Sequence, residues 1–348
     1  METRIFKEAN GIPRRRPFRP AAVKAVPLIL FILFCGTGQD TMGQFGPDPP
    51  AEVKLHDMHW RDNCILADKA SGYYYMVGPA RRSVLSYRSR DLINWENPTK
   101  IFTIPEGFWG GKPINSIWAP ELHLYRGKYY LFLTIDTSDP FDEQWPNWRP
   151  RVTRGSQILV SDSPTGPFKP FRDRSTLPVD MMTLDATLWE EEGVPYIVYA
   201  HEWVQISNGT IEYMQMKEDL SETVGEPHLM FRGSDGPWVT ISETEGCFVT
   251  DGPYLWRTGE GELIMIWTGY GRTGYTMGVA RSESGKLAGP WIQQEEPVYS
   301  DNGGHGMLFE SFDGKLMCVL HAPNNRESRP HIFEMEDTGT GLRIKKEL

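Results

Sequence analysis

Cysteine is scarce in this chain: four residues in 348, standing singly at positions 35, 64, 247 and 318. With no paired spacing, they exclude a disulfide framework and a zinc site built on cysteine pairs. Long apolar runs are missing too. The most prominent, Ala25 to Cys35, is too short for a spanning helix. Positive charge is in deficit, 36 Lys and Arg against 46 Asp and Glu, which gives a formal charge of −10. An acidic chain of this kind repels phosphate backbones, so nucleic acid is not an expected partner. Helical periodicity is hard to find after residue 50, where short Tyr, Val, Ile, Leu and Trp runs alternate with Gly, Pro, Asp and Asn. That pattern reads as all-β.

The first residues read differently from the rest. Arg14–Arg16, Arg19 and Lys24 precede the apolar run, and Gly36-Thr37-Gly38 follows it. Basic, apolar and small segments in that order are the parts of a secretory signal. The expectation is a signal peptide over 1–38, a linker over 39–51, a single β domain over 52–348, and export to the periplasm or the medium. Removing the seven Lys/Arg and two Glu of residues 1–38 takes the formal charge from −10 to −15. Cys35 is a poor lipidation site because bulky Phe34 precedes it, so cleavage is favoured over anchoring.

The domain repeats internally. Five times a Gly is followed by an apolar strand, at Gly72, Gly127, Gly193, Gly261 and Gly314, and each time another apolar stretch precedes it. Each unit is a hairpin with a Gly turn, followed by a third strand and a Ser/Asp/Gly/Pro-rich turn. Five such units predict a five-bladed β-propeller, in which the first strand of every blade lines a central channel. The polar residues opening those strands are Asp62, Glu121 with Trp118, Asp185, Asp251 and His305, all aimed at one axial pocket. The stretches 136–155, with Trp145 and Trp148, and 233–246, with Trp238, read as loops over the mouth.

Carboxylates that converge with a histidine and tryptophans suit glycosidic-bond hydrolysis. One group must protonate the leaving oxygen while another activates water, and crowding drives carboxyl pKa values apart. Aromatic faces stack on sugar rings, although most of the 12% aromatic residues simply fill strands. Here the chain resembles a known family. Arg61-Asp62, WAPELHLYRGKYYLFL from Trp118, LDATLWEEEGVPYIVYA from Leu184, TDGPYLW from Thr250 and GGHGMLFESFDG from Gly303 are similar, in order, to the motifs of glycoside hydrolase family 43.

The resemblance implies a propeller hydrolase that inverts configuration and acts on arabinose- or xylose-containing plant polysaccharide. An exo-acting α-L-arabinofuranosidase is the expected activity. It implies Asp62 as general base, Asp185 as the acid that orients and raises the pKa of the proton donor, and Asp251 at the donor position. Trp118 and Glu121 match the pocket wall, and Trp60, similarly placed in the chain, reads as a further sugar-stacking ring. His305 matches an axial histidine beside a channel cation, commonly calcium held through water, while no cofactor is required. The chain departs from the family at Asn63, where Pro is preferred, and at Asp251, where Glu is normal. The shorter acid leaves open closer backbone approach, donation by Glu243 or Glu245, or weakened catalysis. It also keeps a non-catalytic glycan-binding propeller in play, beside a xylosidase, galactanase or fructosidase on the same fold. His56, Asp57 and His59 splay apart on an extended segment, and Arg281 reads as a blade-edge charge. A monomer is expected.

Overall fold

Five antiparallel sheets follow one another along the chain, each built from its own contiguous segment, so the protein is a five-bladed β-propeller. The computed structural model describes residues 52–241 and 246–348. The expected signal peptide and linker, and the candidate donors Glu243 and Glu245, lie outside the described residues. No described helix is long and apolar enough to cross a membrane.

The inner strands are Cys64–Asp68, Ile114–Tyr125, Thr183–Glu191, Asp251–Arg257 and Gly304–Glu310. Each pairs with a second strand across the expected turn. The five turn glycines have φ of +70° to +88°, a region that a side chain disfavours. Second strands such as Leu263–Gly271 are covered by the neighbouring blades on both faces. Ile264, Met265, Ile266 and Trp267 are accordingly all fully buried, which is why these segments read as unbroken apolar runs.

The ring closes without exchanging a strand. Between the fifth and first blades, Ile65, Met76, Met307, Val319 and Ile332 share one buried core. The Phe312 N–H donates to the Tyr74 hydroxyl at 2.7 Å, and the two rings stack 4.1 Å apart. Backbone N–H of Trp60 donates to the Ser328 carbonyl at 3.0 Å. The first blade is also widened, because Glu52–Lys54 pairs with Asn94–Glu96 on its outer edge.

Two expected loops are different in the structure. The second blade's hairpin runs on to Pro140 and resumes at Val152, because Thr137 donates to the Thr153 carbonyl at 2.7 Å and the Phe141 N–H to the Arg151 carbonyl at 3.0 Å. Only 141–151 is loop. Its Trp148 donates to the Val204 carbonyl at 2.7 Å, which ties it to the short helix Trp203–Ile206 of the third blade. Trp238 is no mouth residue. It is buried against Trp267, 4.7 Å between ring centres, in space left by Gly278, where a Cβ would sit 2.3 Å from the indole.

Candidate active site

Every inner strand has one residue in the left-handed region just before it or within it: Asp62 (φ 53°), Ala119 (38°), Asp185 (53°), Gly252 (50°) and His305 (52°). In four blades the ladder slips at this point, between Trp118 and Glu121, Leu184 and Thr187, Asp251 and Tyr254, and Gly304 and Met307. Such bulges re-aim a side chain, and positive φ in Asp and His is a cost the fold accepts at these positions. The repeat thus delivers Asp62, Asp185 and His305 from equivalent places. Asp251 stands one residue earlier in its blade. Gly252 holds the equivalent place there, and a Cβ on it would lie 3.0 Å from the His305 ring.

These residues line one cleft of about 1130 Å³. Asp62, Trp118, Asp185, Asp251 and His305 are all on its wall. Trp60 and Glu121 are not. The Trp60 indole donates to the Pro79 carbonyl at 2.9 Å and packs on Tyr87 at 5.1 Å, inside the first blade. Glu121 is buried, with its carboxylate 2.8 Å from His123 Nε2. Both were expected at the sugar site. Two residues past the bulge, the Glu121 side chain has turned from the cleft into the interior. Arg281 pairs with Glu262 at 3.0 Å, and His56 and Asp57 are exposed.

The three aspartates differ in environment. Burial would raise the Asp62 carboxyl, but His305, His321 and Arg61 together hold it well below the usual carboxylate range. Its Oδ2 accepts from Arg61 Nε at 3.0 Å. Its Oδ1 stands 3.1 Å from His321 Nδ1 and 3.7 Å from His305 Nδ1, yet no donor among the described residues is aligned on it. That oxygen keeps a lone pair to offer. The Asp62 backbone nitrogen lies 3.3 Å from the same His321 Nδ1.

Asp185 is pushed well above the normal range by burial and by the Asp62 charge, although the Gly252 N–H donates to its Oδ2 at 3.1 Å. Asp251 is raised to about 7 by burial and by Asp185, against the lowering effect of His305 and of a 2.8 Å hydrogen bond from the Tyr275 hydroxyl. Asp185 and Asp251 therefore compete for protons beside a carboxylate that stays ionised.

Three further cleft residues form a separate group. Arg154 donates to Asp136 Oδ1 at 2.7 and 2.9 Å and also grips Glu202. Its guanidinium lies over the Trp118 ring, 4.2 Å from the centre, and so braces one face of it. Tyr275, His321 and this Arg154 group did not emerge from the sequence.

The expected channel cation has few protein donors to use. His305 Nδ1 faces Asp62 Oδ1 and Asp185 Oδ2, each at 3.7 Å. Among the described residues no three His, Cys, Asp or Glu stand close enough to hold a metal ion themselves. These residues suit a cation coordinated through water and do not form a direct ligand set.

The sequence profile of glycosyl hydrolases family 43 matches residues 56–340. The chain belongs to this family. An endo-arabinase structure from Bacteroides thetaiotaomicron superposes with a TM-score of 0.73 at 35% identity, covering 84% of this family-43 chain and 98% of the other. Alpha-L-arabinofuranosidase B of Pyricularia oryzae is 25% identical over 82% of this chain and 58% of its own length. An extracellular exo-alpha-(1->5)-L-arabinofuranosidase of Streptomyces chartreusis is 24% identical over 73% of this chain and 77% of its own. Members of the family are glycoside hydrolases, and the five blades described above are their propeller.

Proposed function

We propose that this protein is an inverting glycoside hydrolase acting on α-L-arabinofuranosyl linkages of plant-wall arabinan. Asp62 is its general base, Asp251 its general acid, and Asp185 the carboxyl that keeps the acid protonated. The observation that carries the reading is the opposed protonation of two aspartates on one cleft. Asp62 is held ionised with an oxygen free to accept, while Asp251 is raised to about 7. An inverting hydrolysis uses that pair: the base takes a proton from water as its oxygen attacks the anomeric carbon, and the leaving oxygen takes a proton from the acid side. His305 Nδ1 stands 3.7 Å from Asp62 Oδ1, and Trp118 offers a braced face for a sugar ring. Arabinan as substrate is favoured by relatives named as arabinofuranosidases and an arabinase. Export is favoured by the extracellular relative and by the basic-apolar-small leader.

Incubation with arabinan and with aryl α-L-arabinofuranosides, resolved by chromatography, is the direct test. Release of arabinose or its oligomers, with the first-formed anomer inverted by NMR, supports the proposal. Arabinan binding without release favours the glycan-binding propeller, and release of xylose or galactose alone moves the substrate elsewhere. Endo cleavage has its own support in the 35% identity to the arabinase. Early products decide: arabinose alone means exo action, and a ladder of oligomers means endo action.

A further inference from the structure

We propose that Tyr275 is a catalytic residue, whose hydroxyl passes the proton of Asp251 to the leaving oxygen, so that the acid of this protein is a carboxyl and a phenol in series. The proposal rests on the hydrolase reading above. It starts from a short side chain: the acid of that reading is Asp251, which reaches one methylene less than a glutamate would. A phenol stands next to that short side chain. Tyr275 Oη is 2.8 Å from Asp251 Oδ2, and Tyr275 is on the wall of the same cleft.

The ring cannot swing away easily. It lies 5.6 Å from His321, nearly parallel, and 5.5 Å from Tyr270, and the Tyr275 N–H donates to Asn302 Oδ1 at 3.2 Å. A hydroxyl both donates and accepts, so a fixed phenol can take one proton while giving another. Alone it would be a poor acid, because burial and the charges of Asp251, Asp62 and Asp185 hold it well above the normal phenol range. A relay avoids the tyrosinate: the phenol that donates to the Asp251 carboxylate turns its O–H to the leaving oxygen once Asp251 is protonated, and the carboxyl then donates across the same 2.8 Å. As the bond from the anomeric carbon to the leaving oxygen breaks, that oxygen takes the Tyr275 proton, and Tyr275 takes the Asp251 carboxyl proton. The attacking water gives its own proton to Asp62. Asp251 ends as carboxylate, Tyr275 is unchanged, and solvent restores the two aspartates.

The test compares Tyr275→Phe with the unaltered protein on arabinan and on aryl arabinofuranosides of graded leaving-group acidity. General acid catalysis is worth about 10²- to 10⁴-fold where the leaving group needs a proton. The expected result is a kcat loss of that size on arabinan, nearly none on a dinitrophenyl glycoside, and recovery of at least tenfold when Asp251→Glu is added, since the longer acid reaches the oxygen directly. An equal loss on all substrates, or no recovery in the double variant, overturns the relay and leaves Tyr275 as a brace for Asp251. Should Tyr275→Phe fail to fold by thermal denaturation, Tyr275→3-fluorotyrosine keeps the ring and alters only hydroxyl acidity. A rate change on arabinan but not on the dinitrophenyl glycoside supports the relay, and equal behaviour on both overturns it. Absence of any hydrolysis by the unaltered protein would instead count against the proposed function.

Discussion

Two groups of buried acids face the same cleft on opposite terms. At the wall, Asp136 and Glu202 share the guanidinium of Arg154, and all three side chains are 12% exposed or less. At the axis, Asp62, Asp185 and Asp251 have histidines and hydrogen-bond donors around them, with Arg61 reaching only Asp62. The first group is held by one guanidinium that bonds both carboxylates, which offsets part of their burial, although burial still leaves Glu202 raised. In the second, burial is left partly uncompensated, so two of three carboxyls hold protons at a pH where ordinary ones have lost them. An ion-paired cluster can position a neighbour, as Arg154 does for Trp118. An unbalanced one can do acid–base chemistry, and perturbed carboxyls in a cleft mark sites for that reason.

The sharpest break in the comparison comes from the axis. Asp62→Asn keeps the shape and removes the proposed base, and kcat on arabinan, the proposed substrate, is expected to fall about 10³- to 10⁴-fold with oligosaccharide affinity retained. Calorimetric binding beside the kinetic assay checks both halves. A loss below tenfold would move the base elsewhere. Next in size is Arg154→Met at the wall, which strands two buried carboxylates. The unfolding free energy should drop by about 3–5 kcal/mol, seen as a lower denaturant midpoint at pH 7. If the midpoint holds, the wall group is not held in the way described.

Much of this was legible in the sequence because the signals are local. A turn glycine and an apolar run announce a hairpin within about ten residues, and five hairpins in series announce the ring. The aspartates that open the inner strands could be picked out once the ring was assumed. What aims them could not, since left-handed backbone at Asp62, Asp185 and His305 leaves no mark in residue type. Gly252 alone hints at it. Tyr275 and His321 sit on third and second strands, where one aromatic or one histidine is ordinary, and their partners Asp251 and Asp62 lie 24 and 259 residues away. Trp238 was misplaced for the same reason: the room for it is made by Gly278, on another strand.

Asp185→Asn separates chemistry from stability at the axis. The folded-state pKa of Asp185 is raised, so the folded protein binds more protons there than the unfolded chain, and stability falls as pH climbs above the ordinary Asp value of about 4. The substitution removes that slope, leaving the protein at least as stable at pH 7, while activity drops. It also removes a charge that raises Asp251. The basic limb of kcat/KM, expected near the Asp251 value of about 7, then shifts to lower pH. A limb that stays put would mean that Asp185 does not set the acid.

The smallest effect tests the division between the wall and the packing behind it. Trp60 was expected to touch sugar, yet its indole donates to the Pro79 carbonyl inside the first blade. Trp60→Phe should therefore cost about 1 kcal/mol of stability, the worth of one intramolecular hydrogen bond, with KM for arabinan unchanged. Trp118→Ala should do the reverse, raising KM and moving the denaturant midpoint less, because this ring faces the cleft and is backed by a guanidinium that keeps both its carboxylates. If KM rises in Trp60→Phe and not in Trp118→Ala, the sugar lies on the other side of the first blade and the cleft has been read from the wrong wall.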